Sequence, residues 1–355
     1  MNQTDRAISR DLTRWFARHG RDLPWRAQPR EPYLALVSEF MLQQTQVSRV
    51  LEKFEPFIAR FPTVETLARA REEHVLALWS GLGYYRRARN LHAAAKAIVA
   101  DFHGEIPCAV EDLMTLRGIG RYTAGAIASI CFNKQEPIVD GNVARVLLRL
   151  DGRDAVQSDP RTIAWTWDRA SELVNAAGDL AGTFNESMME LGATVCTPQN
   201  PTCDRCPIKH RCVAAATGTH NSIPRPKPRA RQRPLYCASV LVADDRGRLM
   251  VRRRGTEGMW ACLFEAPTLE RDDRPARATE LARELGLTSK PHRIVTFKHQ
   301  TTHRNVEFSV WHGESGKPMP GDVWRSPRQI ARLGLSNPQR RILLEIGIEA
   351  IQTLS

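Results

Sequence analysis

Four cysteines, Cys196, Cys203, Cys206 and Cys212, fall within seventeen residues in the spacing C-x6-C-x2-C-x5-C. Four thiolates gathered so tightly in a long chain read as one metal site. An all-thiolate set suits structural zinc or an iron–sulfur cluster. Zinc ribbons usually carry two C-x2-C knuckles separated by a longer insert. Here a single C-x2-C is flanked by lone cysteines at unequal distances. That pattern favours a [4Fe-4S] cluster over zinc, with disulfides the remaining alternative. The same loop carries Arg205, Lys209, His210 and Arg211, so a basic surface beside the site is expected, with phosphates as its natural partner.

The rest of the composition agrees. The chain has 355 residues, enough for two or three domains with cores of their own. Its formal net charge of +12 favours a polyanionic partner, although an Arg-rich genome alone would also make a chain basic. The opening segment MNQTDRAISRDLTRW lacks the apolar stretch of a signal peptide. No run of eighteen apolar residues is present, so no membrane span is expected. Cys108, Cys131, Cys237 and Cys262 are scattered and read as free thiols in a reducing compartment, here the cytoplasm.

Residues 1–214 read as helical. Leu34, Val37, Phe40 and Met41, then Val47, Val50, Leu51 and Phe54, recur at helical spacing. Further helices are expected around 64–79, 86–101, 110–116, 122–133, 142–151, 161–177 and 183–195, separated by Gly81-Leu-Gly83, Gly104, Gly118-Ile-Gly120, Asp140-Gly141 and Gly152. Residues 215–234 read as a Pro-rich linker. Within it Arg225, Lys227, Arg229, Arg231 and Arg233 suit either an extended strap along a phosphate backbone or a solvated tether. From 235 to 355 the pattern turns to α+β. Tyr236–Val242 and Arg248–Arg253 flank a hairpin signature at Asp244–Gly247. A helix is expected at 275–286, strands at 293–299 and 306–311, and a final helix at 337–347.

Three motifs carry chemistry. Leu116-Arg-Gly-Ile-Gly-Arg121 joins two helices through two glycines, which permit close approach of backbone to a ligand. The next helix presents free N–H groups at its start, a ready anion site, so Gly118, Gly120 and Arg121 read as a helix-hairpin-helix gripping phosphates. Asp140 stands where a helix begins. It serves as an N-cap or as a carboxylate kept ionised by helix N–H groups, with its pKa expected to fall. Glu39 lies in a segment where only it and Ser38 are polar between Tyr33 and Leu42. Burial there raises a carboxyl pKa. Gln43 and Gln46 follow at i+4 and i+7, which extends a polar seam along the expected helix. Two such carboxylates suit cleavage of a glycosidic bond, one protonating the leaving group and the other stabilising a cationic centre.

These motifs together resemble the adenine DNA glycosylases of the MutY type. The run Leu36–Val47, the run Trp79–His92, the hairpin, Val139–Val143 and the four cysteines all match in order, densely over residues 10–214 and weakly beyond. The resemblance implies a mainly helical helix-hairpin-helix glycosylase. It implies a six-helix barrel at about 27–137, a cluster domain from 1–26 and 138–214, and a C-terminal α+β Nudix-like domain at 235–355. It implies a [4Fe-4S] cluster on the four cysteines. The implied partner is double-stranded DNA carrying adenine opposite 8-oxoguanine or guanine, bound by a monomer. Carried over by position, Glu39 protonates the extruded adenine, Asp140 supports the cationic sugar, and Asn142 helps to position them. Gln43, Gln44, Thr45, Leu82 and Tyr84 fall among the residues that contact DNA, with Gln44, Leu82 and Tyr84 probing the opened stack. Related lyases of the endonuclease III type place a nucleophilic lysine just after the hairpin. This chain has Tyr122 there and no lysine between Lys96 and Lys134, so a Schiff base through that position is excluded.

Gly258-Met-Trp260 through Pro267, with Arg340-Arg341, carries the Nudix-like resemblance. Arg283 stands where a Nudix hydrolase needs one of its paired glutamates, so a binding module without pyrophosphatase activity is expected. The family's Phe-Ser-His lesion loop falls on Thr301, Thr302 and His303, and its aromatic is missing. Two rivals remain: a non-catalytic iron–sulfur protein that senses DNA lesions, and a nucleotide hydrolase acting through 235–355. Intact Glu39 and Asp140 oppose the first, and the broken metal helix opposes the second.

Overall fold

The computed structural model describes residues 3–226, 232–288, 290–314 and 317–349. The helices of the first part are α1 (Gln3–His19), α2 (Pro32–Leu42), α3 (Val47–Arg60), α4 (Val64–Ala68), α5 (Glu72–Leu78), α6 (Arg86–Asp101), α7 (Val110–Thr115), α8 (Arg121–Phe132), α9 (Gly141–Leu150), α10 (Pro160–Ala177), α11 (Ala181–Thr194) and the short α12 (Val213–Ala216). The chain packs as two compact units. One is formed by 1–68 with 93–228, the other by 69–92 with 229–355. The main break between the units falls within the expected 215–234 linker, and one segment departs from the linear order. The segment 69–92, inside the expected barrel region, groups with the C-terminal residues.

In the first unit, α2 shows why Glu39 is placed as it is. Pro32 starts the helix with its backbone angle already set. Tyr33, Ala35, Leu36, Val37, Ser38, Glu39, Phe40 and Met41 are all buried. A helix buried on every face is a core helix, and Glu39 goes inside with it. The helix stops at Leu42. Gln43 is its C-cap and Gln46 the N-cap of α3, so the polar seam expected through Gln46 is interrupted by a turn. A second core joins α1 to α9, α10 and α11 through Ile8, Leu12, Val143, Leu147, Leu173, Phe184 and Leu191. Asp159 caps α10 through the backbone N–H groups of Arg161 and Thr162, with Pro160 in the first turn.

Among the described residues the second unit has the strands β1 (Arg233–Val242), β2 (Leu249–Arg253), β3 (Phe264–Glu265), β4 (Thr268–Arg271), β5 (His292–Gln300), β6 (Arg304–Gly313) and β7 (Asp322–Arg325). They form a sheet ordered β4-β1-β6-β5, parallel only between β1 and β6, and a second sheet ordered β3-β2-β7. The hairpin expected around Asp244–Gly247 exists only at its tip. Ala243 pairs with Leu249 and Asp244 N–H donates to Arg248, after which β1 and β2 diverge into different sheets. The helix expected at 275–286 covers Ala278–Glu284 and carries Arg283 in its last turn. The expected final helix forms as one α turn, Asn337–Arg340, a wider π turn over Arg341–Ile346 and a return to α geometry over 347–349. Of the basic strap, Arg225 pairs with Asp154 at 2.9 Å and Arg233 opens β1. Lys227, Arg229 and Arg231 lie outside the described residues.

Candidate active site

Within the first unit, Glu39, Tyr122, Asp140 and Asn142 come together. Glu39 is 8% exposed. Burial pushes its carboxyl up to about 7, the charge of Asp140 pushes further, and a hydrogen bond from Tyr122 opposes both. Tyr122 is the second residue of α8. Its hydroxyl stands against the Glu39 carboxyl and 3.2 Å from Met189 Sδ. The sulfur is a weak acceptor, so an ionised Glu39 accepts the phenolic hydrogen bond in preference. Burial and the two carboxylates hold the Tyr122 pKa well above its usual value.

Asp140 caps α9. Its Oδ1 accepts from Val143 N–H at 2.7 Å and its Oδ2 from Asn142 Nδ2 at 3.2 Å. These bonds were expected to lower its pKa. The balance instead runs upward from 3.8, because desolvation outweighs them. Gly192 on α11 allows the close approach to Asn142, since a Cβ there would meet Asn142 Cβ at 2.8 Å.

Sequence reasoning missed a layer of arginines beneath this pair. Arg145 is buried and donates to Asn142 Oδ1 at 2.9 Å, to Gly192 O at 2.8 Å and to Cys196 O at 2.9 Å. Arg149, one turn on, is 2% exposed and donates to the carbonyls of Ile223, Thr197 and Pro198. Its Nη1 also reaches Cys196 Sγ at 3.3 Å. The signal was available: two arginines four apart on the apolar α9 are both buried, where arginine is rare unless paired. Arg26 pairs with Glu186 at 3.1 Å and with Glu190 at 3.0 Å. Arg26 and Glu186 act electrostatically on Glu39, in opposite senses.

The hairpin forms as expected. Gly118 has φ 85°, which only glycine adopts readily, and Ile119 N–H closes the turn on Leu116 O. Gly120 begins α8 without any side-chain cap, and a Cβ on it would meet nothing within 4 Å. The first backbone N–H groups of α8 thus lack a side-chain cap. Gln44, next to the end of α2, is held at φ 55°, strained for a side chain that size. Gln43 reaches Thr123 Oγ1 at 3.5 Å, and Thr45 is half-buried.

The four thiols line one cavity, together with Arg149 and His220, whose Nδ1 is buried without a partner. Among the described residues, no group of three or more His, Cys, Asp or Glu forms a ready-made site for a metal ion. All eight cysteines are free thiols. Cys206 is pushed up to about 12, first by burial and then by the nearby charges of Cys196, Cys212 and Cys203. Such thiols shed their protons together only around a cation. The neighbouring basic residues are less available than expected. Lys209 is paired with Asp204, and Arg211 bonds Asp11 at 2.7 Å.

In the second unit, Leu82 is buried while Tyr84 is 49% exposed, with φ 46°. Arg87 braces this loop, donating to Leu82 O and Gly83 O and lying over the rings of Trp79 and Tyr84. Thr301, Thr302 and His303 form the turn between β5 and β6, tied by Thr301 N–H to Arg304 O at 2.9 Å. Tyr84 Oη and Thr302 Oγ1 hydrogen-bond, so the second unit joins Tyr84 to the expected lesion loop.

Residues 37–171 match the family of HhH-GPD superfamily base excision DNA repair proteins, and residues 238–345 match the NUDIX domain. A thermostable thymine-DNA glycosylase is similar in structure, with TM-score 0.54 and 25% identity over 60% of this chain and 98% of that one. The adenine DNA glycosylase of Buchnera aphidicola (Schizaphis graminum) is 31% identical over 95% of this chain and 97% of its own. That of Rattus norvegicus is 45% identical over 59% of this chain, a match spanning 42% of the rat protein. Fold and site thus define a helix-hairpin-helix base excision repair protein joined to a Nudix domain. The chain belongs to the adenine DNA glycosylase family. No helix among the described residues is long and apolar enough to cross a membrane.

Proposed function

We propose that this chain is a monofunctional glycosylase that hydrolyses the N-glycosidic bond of adenine mispaired with 8-oxoguanine or guanine in duplex DNA. The observation that carries the reading is Glu39, buried in a core helix, raised to about 7 and faced by Tyr122 and Asp140. At neutral pH a large fraction of Glu39 keeps its proton and acts as general acid. That proton passes to a ring nitrogen of the extruded adenine. The bond to the sugar breaks and the base leaves with its electron pair. The cationic sugar that remains is balanced by Asp140, whose hydrogen bonds from Val143 and Asn142 suit the charged form. Water then adds to the sugar and gives up a proton. Tyr122 offers no amine, so the backbone at the abasic site stays intact.

The hairpin, with its uncapped α8 start and open Gly120, supports phosphate binding, and the net charge of +12 supports a nucleic-acid partner. Cys196, Cys203, Cys206 and Cys212 would hold a [4Fe-4S] cluster, and a cavity lined by all four thiols, with the orphaned His220 nitrogen, fits that group. When bound, it would supply a structural cross-link of the loop that Arg145 and Arg149 tie to α9. The C-terminal unit is read as the recogniser of 8-oxoguanine, with Thr301, Thr302 and His303 at its contact. A monomer acting on nucleoid DNA in the cytoplasm is the expected working form.

The test is single-turnover cleavage of duplexes with adenine opposite 8-oxoguanine, guanine and thymine, with the released base identified by chromatography. Release of free adenine opposite the first two and little opposite thymine is the expected outcome. Duplex binding with no adenine release would favour the non-catalytic rival.

A further inference from the structure

We infer that Trp167 is a positioning residue for DNA binding: its ring holds the guanidinium of Arg121 so that the hairpin presents that side chain to a duplex phosphate. This rests on the DNA-binding reading of the hairpin given above.

Arg121 is the first residue of α8, directly after Gly120. A cation there meets the positive end of the helix dipole, so helix stability does not account for it. Arg121 is exposed, and its guanidinium carbon lies 4.0 Å from the ring centroid of Trp167. Trp167 is carried by α10, an eighteen-residue helix capped by Asp159, and is half-buried. Its neighbour Trp165 packs into the core around Leu147 and Leu148, which fixes the helix. Trp167 is thus a rigid platform on a separate element, set under a flexible side chain of the hairpin.

The chemistry of stacking explains the benefit. A guanidinium on an aromatic ring uses its face, while its N–H donors lie in the plane and remain available at the edge. An edge of that kind forks onto two phosphate oxygens. Without the ring, Arg121 samples many rotamers and loses side-chain entropy on binding.

The experiment measures affinity of the full-length chain for a fully paired duplex between about 50 and 200 mM salt, where each lost phosphate contact lowers the slope by about 0.9. R121A should lose that much of the slope. W167A and W167L should lose part of it and weaken binding by about three- to tenfold, the range set by a partly exposed cation–π contact. W167F should stay near the wild type. R121A/W167A should bind no more weakly than R121A. Thermal melts identify any variant that fails to fold, and the W167L and W167F pair isolates the ring in folded protein. A wild-type slope in W167L alongside a reduced one in R121A overturns the inference, as do additive losses in the double variant or a wild-type slope in R121A. If the wild type shows no salt-dependent duplex binding, the DNA-binding reading itself fails, which the wild-type titration alone reveals.

Discussion

Arg145 Nη2 donates to Asn142 Oδ1 at 2.9 Å, and the same guanidinium bonds the carbonyl of Cys196. The carboxylate side of the site and the first cysteine therefore share one buried side chain. R145A removes the donor from Asn142 Oδ1 and from the carbonyls of Cys196 and Gly192, at a cost of about 1–3 kcal/mol for each acceptor that water does not reach. The variant should melt earlier, retain less iron and excise adenine more slowly. R145K should recover only part of this, because an ammonium lacks the planar fork. Calorimetry, iron analysis and single-turnover rates check it. Unchanged iron content and rate in R145A would show that the shared side chain is only packing.

Glu39 is held against its own stability. Its folded pKa of about 7 exceeds the 4.5 of an unfolded carboxyl. As pH rises from 4.5 towards 7, the unfolded chain ionises first and the native state loses stability, by up to about 3 kcal/mol at 1.4 kcal/mol per pKa unit. E39Q removes that loss. It should melt higher than the wild type at pH 8, with the gap closing near pH 4. Equal melting temperatures at both pH values would mean that Glu39 is not held protonated by the fold.

Tyr122 predicts the fate of the product strand. Borohydride should trap little covalent complex, and the backbone should stay whole until heat or alkali is applied. Y122K should introduce some nicking, since it supplies an amine where Tyr122 faces the two carboxylates. Trapping by the wild type as strong as that of a true lyase would contradict the monofunctional reading.

The bond between Tyr84 and Thr302 couples the loop proposed to probe the stack to the β5–β6 turn. T302V removes its oxygen while keeping the shape. Losing one such hydrogen bond is worth about 0.5–1.5 kcal/mol, or roughly 2- to 12-fold. Excision opposite 8-oxoguanine should fall by that factor while excision opposite guanine holds. An equal fall on both substrates would make the bond purely structural.

The local code of this chain was legible where chemistry and spacing coincide. Helix α6 falls at 86–101 as its pattern indicated, and α8, α9 and α10 start within one residue of expectation. The capping role of Asp140 was also visible in its place before Gly141. What spacing cannot carry is non-local. The strands β1 and β2 read as one hairpin because their turn is local, yet β1 pairs with β4 and β6 from far along the chain. The segment 69–92 gave no sign that it groups with residues beyond 229, so a truncation near 226 removes its packing partners. Arg145 and Arg149 escaped notice because most of their acceptors are backbone carbonyls, which no side-chain motif announces. The rise in the Asp140 pKa was missed because desolvation depends on burial from all sides, whereas the cap is read from three residues.

The most direct test is the single-turnover rate of adenine release against pH, for the wild type and E39Q, on a duplex with adenine opposite 8-oxoguanine. The wild-type rate should fall as pH rises through about 7, where Glu39 loses its proton. E39Q should be slower by about 10²–10⁴-fold, with that descending limb gone, while still binding the duplex. A wild-type rate that stays level through pH 7, or excision by E39Q near the wild-type rate, would remove Glu39 from the mechanism.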